Sequence, residues 1–246
     1  MDYRVVTLDA EIKTKGFRIW MPPLLNVQAF LEKQGSGLAK TRVGAWMLSS
    51  GRLASEIIRD AALEHGVRPE YLLVTLESEQ GLVHDTVVHN ANYKLKDLTF
   101  QTDIKPAPPQ GFDRVVATNP AKSGGIKWVA VSGEWKIVAA LGMGIPDPGV
   151  PPAGVGWDVR PYLGLDNQIK FAAKQLRRYV DRWNAGDKLV VLYPTTEEKI
   201  VAKAQGRKPV GETIVAGDPE TYALLQYTPS PSVLVDRPRI FMRYFA

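Results

Sequence analysis

Cysteine is absent from the 246-residue chain, and histidine is confined to His65, His84 and His89. The first absence excludes disulfide scaffolds, thiolate nucleophiles and Cys-ligated zinc. The second leaves too few imidazoles for a multi-histidine metal centre. We therefore expect neither a metal nor an organic cofactor. No apolar run approaches the roughly 20 residues that cross a bilayer as a helix. Residues 1–18 mix charge with short apolar pairs and lack the apolar core of a signal peptide. One-sided charge is lacking too: 31 Lys and Arg against 26 Asp and Glu leave +5, a mild bias toward anionic partners. The basic residues are dispersed and no nucleic-acid-recognition motif accompanies them, so nucleic acid is not an expected partner. Any catalysis is left to carboxylates, hydroxyls or lysine.

What is present is a globular composition, 45% hydrophobic and 23% charged. A chain this long can bury about 70–75% of its unfolded surface in one large domain or two small ones. Residues 3–8 alternate loosely and read as a strand or an extended arm. Residues 26–33 read as a short helix with Val27, Phe30 and Leu31 on one face. Leu53, Ile57, Ile58 and Ala61 recur at helical spacing, and Gly66 stands where a helix ends. A second helix is expected from Pro69 toward Glu79. Its run from Leu72 to Leu76 is apolar nearly all round, which predicts burial in the middle of the domain.

Residues 86–136 change character. The β-like runs 98–100, 114–116 and 128–131 are separated by Pro and Gly clusters, which predicts a small β insertion in a helical framework. Residues 146–161 read as loop. The strongest helical pattern follows, with Ile169, Ala172, Ala173, Leu176, Val180 and Trp183 in phase, Asp166 as the expected N-cap and Gly186 as the stop. Its other faces carry Lys170, Lys174, Arg177, Arg178 and Arg182, a pattern that fits a solvated face or a surface for anionic polymer. A buried strand is expected at 188–193, a polar hairpin or loop at 195–208 and a short helix at 221–227. Residues 239–245 are too apolar to dangle and are expected to dock on the core. The fold class is α+β, mainly helical.

The chemistry concentrates at Glu77-Ser78-Glu79-Gln80-Gly81, where the apolar helix delivers two carboxylates just before a glycine. Glu residues two apart point to different faces of a helix, so they do not form a dyad. A carboxyl group held against apolar surface keeps its proton to higher pH, which is what a general acid for glycosidic cleavage requires.

This segment, from Arg68 to Leu82, resembles the helix that presents the catalytic Glu in a bacterial family of the lysozyme-like superfamily, related to goose-type lysozymes and soluble lytic transglycosylases. Apolar residues there precede a Glu-Gln pair, a small residue and Leu, and the pair falls on Glu79-Gln80. Four further segments resemble the family in order: 27–38 its N-terminal helix, 140–147 its Gly-aromatic-Gly-x-Pro-Asp loop, 165–179 the long helix beneath the substrate groove, and 221–229 its Ala-Leu-x-x-Tyr-Thr-Pro motif, followed by a closing segment at 240–245. Two departures stand out. Glu77-Ser78 replaces the usual Gln-Lys, which opens a second register with Glu77 as the catalytic carboxylate. Met143 replaces the aromatic of the loop.

The resemblance implies one lysozyme-like catalytic domain over 21–246, with a β-rich insertion at about 86–136 and an N-terminal arm at 1–20. It implies an enzyme that cleaves the β-1,4 glycan backbone of peptidoglycan, as a muramidase or a lytic transglycosylase, with Glu79 (alternatively Glu77) protonating the glycosidic oxygen. An inverting enzyme would need a second carboxylate, for which Asp147, Asp158 and Asp166 are candidates; a transglycosylase would need none. Substrate contacts fall on Tyr227, Gln168, Asn167, Gly142, Met143 and Asp147. Trp135 and Trp157 can stack on sugar or pack in the core, and Asn167 and Gln168 can equally cap their helix. The implied partners are peptidoglycan strands and, for a chain without a visible signal peptide, other virion proteins of a phage that brings it to the cell wall. The alternative is a lysozyme-like structural or glycan-binding component of a phage tail or envelope assembly, without turnover.

Overall fold

The computed structural model describes residues 4–6, 25–44, 51–98, 105–118, 126–145, 158–192, 212–228 and 233–245. They form a mixed α+β structure divided into two compact units. One comprises residues 1–25, 62–78 and 173–246; the other comprises 26–61 and 79–172.

The unit of residues 26–61 and 79–172 opens with helix α1 (Val27–Lys33). The Asn26 side chain accepts a 3.0 Å bond from the Ala29 amide and satisfies one of the free N–H groups of the first turn. Val27, Phe30 and Leu31 share its buried face, as their spacing predicts. A 3₁₀ turn, Gly37–Ala39, follows, and a two-residue antiparallel ladder joins β2 (Arg42–Val43) to β3 (Arg52–Leu53). Gly37 is forced by a close approach: a Cβ there would lie 1.6 Å from the Val87 carbonyl oxygen.

The β insertion is a three-stranded antiparallel sheet of β4 (Lys94–Leu98), β5 (Arg114–Thr118) and β6 (Lys127–Ser132), ordered β4-β6-β5. Leu95 opposes Val131, and Val116 opposes Val129, so these four line one face with Val138, Val159 and Leu163. Trp128 and Ala130 line the other face with Val115, Ala117 and Leu98. Burial on both faces explains why 128–131 is a continuous apolar run in place of an alternating one. Helix α2 (Ala54–His65) packs Ala54, Ile57, Ile58 and Ala61 inward, while the short α4 (Trp135–Val138) follows the sheet.

The other unit holds a mixed sheet ordered β1-β8-β7, made of β1 (Arg4–Val6), β7 (Leu189–Leu192) and β8 (Glu212–Ala216). The expected N-terminal strand is therefore a parallel partner of β8, with Arg4 opposite Ile214. The expected strand at 188–193 is buried on alternate residues, Val190 and Leu192, and not throughout. These side chains pack with Ile214, Ala216, Tyr222 and Leu225, and Tyr179 and Trp183 close over them. Helix α6 (Pro219–Tyr227) starts on Asp218, whose carboxylate accepts from the Thr221 amide at 2.7 Å. The apolar tail docks as helix α7 (Val233–Phe245), with Phe241 buried and its ring stacked on Tyr71 at 5.9 Å.

Three helices, α2 among them, supply residues to both units. Helix α3 (Pro69–Gln80) is buried from Pro69 through Glu77, as its apolar composition predicts. Helix α5 (Leu165–Asn184) begins two residues earlier than an N-cap at Asp166 would set. Asp166 thus lies in its first turn, and Gly164, at φ +95 and with a would-be Cβ 2.7 Å from the Tyr93 ring, precedes it. Its basic face is exposed and locally paired: Lys170 with Asp166 at 3.2 Å, Arg177 with Asp181 at 2.6 Å, Arg182 with Asp187. Among the described residues, no helix is long and apolar enough to cross a membrane.

Candidate functional site

The two carboxylates at the end of α3 have different surroundings. Glu77 is 9% exposed, the last residue of the helix's buried run. Its Oε1 accepts a 3.1 Å hydrogen bond from the Tyr244 hydroxyl on α7. Burial, and then the charge of Glu77, pushes the Tyr244 phenol up to about 12. Ser78, Glu79 and Gln80 are half-buried, so the helix emerges one residue after Glu77. Gly81, at φ +63, then turns the chain, and Leu82 and Val83 return to the core. Glu79 is thus the carboxylate presented where a buried helix meets the surface.

Gln168, Gly142 and Met143 come together at the turn of residues 141–145. The Gln168 side chain is 0% exposed. Its Oε1 accepts from the Leu141 and Met143 amides, both at 3.0 Å, and its Nε2 donates to the Met143 and Tyr162 carbonyls. All four of its hydrogen-bonding positions are engaged by backbone. Gln168 therefore supports the loop from beneath and does not present its amide to a sugar. Asn167 donates to the Leu163 carbonyl at 2.9 Å, tying the first turn of α5 to the preceding 3₁₀ turn. Gly142 and Gly144 both take φ +64. A Cβ on Gly144 would sit 2.3 Å from the Tyr162 ring, itself tilted against Phe171 at 4.4 Å. Met143 is half-buried where the family loop carries its aromatic. Asp147 and Trp157 lie outside the described residues.

The other proposed second carboxylates are accounted for in part. Asp158 accepts from Arg160 Nε at 2.8 and 2.9 Å and from Thr118 at 3.2 Å. The Arg160 hydrogen bond holds its carboxyl below the ordinary value. Its oxygens are occupied by these bonds, which makes it a brace between β5 and the 3₁₀ turn and not a carrier of a nucleophilic water. Asp166 pairs with Lys170, while its Oδ1 is buried without a hydrogen-bond partner. Trp135 packs against the β-sheet core with the Arg114 guanidinium over its ring at 4.7 Å.

Tyr227 and Glu77 belong to the unit that carries α6 and α7. There Tyr227 lies under a guanidinium: Arg237 Cζ is 5.3 Å from its ring centroid. Arg237 is 1% exposed. It donates to the Leu224 carbonyl at 2.6 Å, to Thr228 Oγ1 at 2.9 Å and to Ser78 Oγ at 3.4 Å. Residues of two segments that carry the resemblance, Ser78 from one and Leu224, Tyr227 and Thr228 from the other, therefore meet around one buried cation.

With protein-family models, curated proteins and solved structures alike, the chain has no match.

Two clusters escaped the sequence reading. Arg237 is one. Its spacing of four and seven residues from Phe241 and Tyr244 puts all three on one helical face, and that face was the available signal. The other surrounds His89, which is buried between Glu134 on Nδ1 and Asp85, whose Oδ2 is 3.6 Å from Nε2. Lys136 also bonds Asp85, and this bond foremost holds the Asp85 carboxyl below its ordinary value. These residues lie up to 51 positions apart in the chain, so no local pattern announced them.

Proposed function

We propose that this protein is a peptidoglycan-cleaving glycosidase of muramidase or lytic-transglycosylase type, with Glu79 as its general acid. The observation that supports it is the delivery of Glu79 to the surface by a helix buried over its preceding nine residues through Glu77. A rigid, packed support fixes a catalytic side chain more tightly than a loop does. Glu79 donates its proton to the glycosidic oxygen while positive charge develops on the departing sugar. In the hydrolytic version a water attacks the sugar. In the lytic version the sugar's own 6-hydroxyl attacks, and Glu79 takes that hydroxyl's proton.

Glu77 is less suited to the role, because its carboxylate is buried and accepts from Tyr244. Gln168 acts by holding the 141–145 backbone, leaving Gly142 and Met143 as the loop's candidates for glycan contact. The protein reaches the wall with a virion or on lysis. The test is release of soluble muropeptides from purified peptidoglycan by the full chain, with release lost in Glu79→Gln.

A second reading is favoured by the β4-β6-β5 sheet, whose two faces are both packed and which therefore stands as a built module inside its unit. In that reading the chain is a glycan-binding or structural component of a phage tail or envelope assembly. Binding to peptidoglycan with no muropeptide release on several wall types would support it over the enzyme.

A further inference from the structure

Arginine is among the residues least often buried completely, because its charge loses more solvation than a partly satisfied fork of donors can restore. Arg237 is nevertheless 1% exposed in the unit of residues 1–25, 62–78 and 173–246. Its donors are distributed over two other elements. Nη1 and Nη2 reach the last turn of α6 and the residue that follows it, Leu224 O at 2.6 Å and Thr228 Oγ1 at 2.9 Å. Nε reaches Ser78 Oγ, at 3.4 Å, on the last buried turn of α3. The guanidinium Cζ lies over the Tyr227 ring, 5.3 Å from the centroid. Two turns along the same helix, the Tyr244 hydroxyl binds Glu77, the neighbour of Ser78. Helix α7 thus grips α3 at consecutive residues, 77 and 78, immediately before the carboxylate assigned as the general acid.

We propose that Arg237 is a positioning residue: it locks the rotation of the final turn of α3 through Ser78 and fixes the Tyr227–Thr228 segment in the same stroke. The idea rests on the glycosidase reading for its catalytic consequence, but the locking itself does not. A planar fork is needed for this task. A lysine ammonium offers one centre and cannot donate to three separated acceptors while standing over an aromatic ring. An exposed arginine at this position would contribute charge alone; a buried one with dispersed acceptors contributes direction.

The experiment compares the full chain with Arg237→Lys and Arg237→Met, with Ser78→Ala and Thr228→Val each removing one acceptor and leaving the buried charge in place. Amide hydrogen exchange is the first readout. Exchange at residues 78–80 and 226–228 is expected to quicken by about tenfold in Arg237→Lys, with the amides of β7 and β8 unchanged. Ser78→Ala is expected to quicken 78–80 alone, and Thr228→Val 226–228 alone. The second readout is muropeptide release, where Arg237→Lys is expected to lower kcat by about tenfold and leave KM within about twofold, the mark of a lost transition-state alignment. Unchanged exchange at both segments in a folded Arg237→Lys would overturn the proposal, as would a rise in KM with kcat intact. Absence of muropeptide release by the wild-type chain would overturn the glycosidase reading, while the exchange pattern would still decide whether Arg237 locks the turn.

Discussion

At the scale of single residues, what matters most is which side chains still have polar capacity to spare. Gln168 has none, since four backbone groups engage its amide. Gly142 and Gly144 share φ +64 yet differ in surroundings: nothing lies within 4 Å of a Cβ on Gly142, whereas one on Gly144 meets the Tyr162 ring at 2.3 Å. Gly142→Ala should therefore cost only the left-handed backbone penalty, about 1 kcal/mol. Gly144→Ala should add a steric clash, for about 3 kcal/mol in all. Urea denaturation of the two variants checks the ranking, and equal losses would show that Tyr162 moves aside freely.

Two phenols allow a second test at this scale. Burial first, and then an adjacent carboxylate, pushes Tyr222 and Tyr244 up to about 12. A raised folded-state value makes this stabilisation complete below the ordinary tyrosine value of about 10. It is then lost as pH climbs through about 12. Burial raises Tyr71 and Tyr93 as well, so an alkaline absorbance titration should show a group of late-ionising tyrosines, with one fewer in Tyr244→Phe than in the wild type. An unchanged number of late phenols in that variant would mean that another tyrosine carries the signal.

At the scale of elements, packing decided what propensity left open. The pattern of 69–79 made its helix and its burial legible, because a helix apolar on all sides has nowhere to go but the interior. The β insertion was legible from its Pro and Gly punctuation, and its doubly buried faces explain the continuous run at 128–131. The strand 212–216 carried no such signal, since its identity comes from pairing with segments at 4–6 and 189–192. The start of α5 lies two residues before the one expected, because Asp166 has the chemistry of a cap, while the close approach of Tyr93 to Gly164 fixes the entry to the helix. Gln168 was placed on the right helix, but burial gives it a different task from sugar binding. Gln168→Leu keeps the volume and strands four backbone groups, so a loss of about 3 kcal/mol or more is expected in thermal or urea unfolding. A loss below about 1 kcal/mol would mean that the loop finds other partners.

At the scale of the whole molecule, the lack of cysteine and the scarcity of histidine leave carboxylates, hydroxyls and lysine as the available chemistry, and the two carboxylates at the end of α3 have different surroundings. Glu77 is drawn into the packing of its unit by Tyr244; Glu79 stands where the helix surfaces. That difference in burial was not legible in the sequence, where the preference for Glu79 over Glu77 came from the Gln80-Gly81-Leu82 that follows it. It depends on α7, a segment more than 150 residues further along the chain, as the separation of 167 between Glu77 and Tyr244 shows. On α5, by contrast, Lys170, Arg177 and Arg182 are paired locally with Asp166, Asp181 and Asp187.

The most direct measurement is mass spectrometry of the products that the wild-type chain, Glu79→Gln and Glu77→Gln release from purified peptidoglycan. The account predicts muropeptides from the wild type, ending in 1,6-anhydro sugars if the 6-hydroxyl attacks and in reducing sugars if water does. It predicts none from folded Glu79→Gln, a fall of at least about a thousandfold in rate, and continued release from Glu77→Gln. Undiminished release by Glu79→Gln, with release lost in Glu77→Gln, would contradict it.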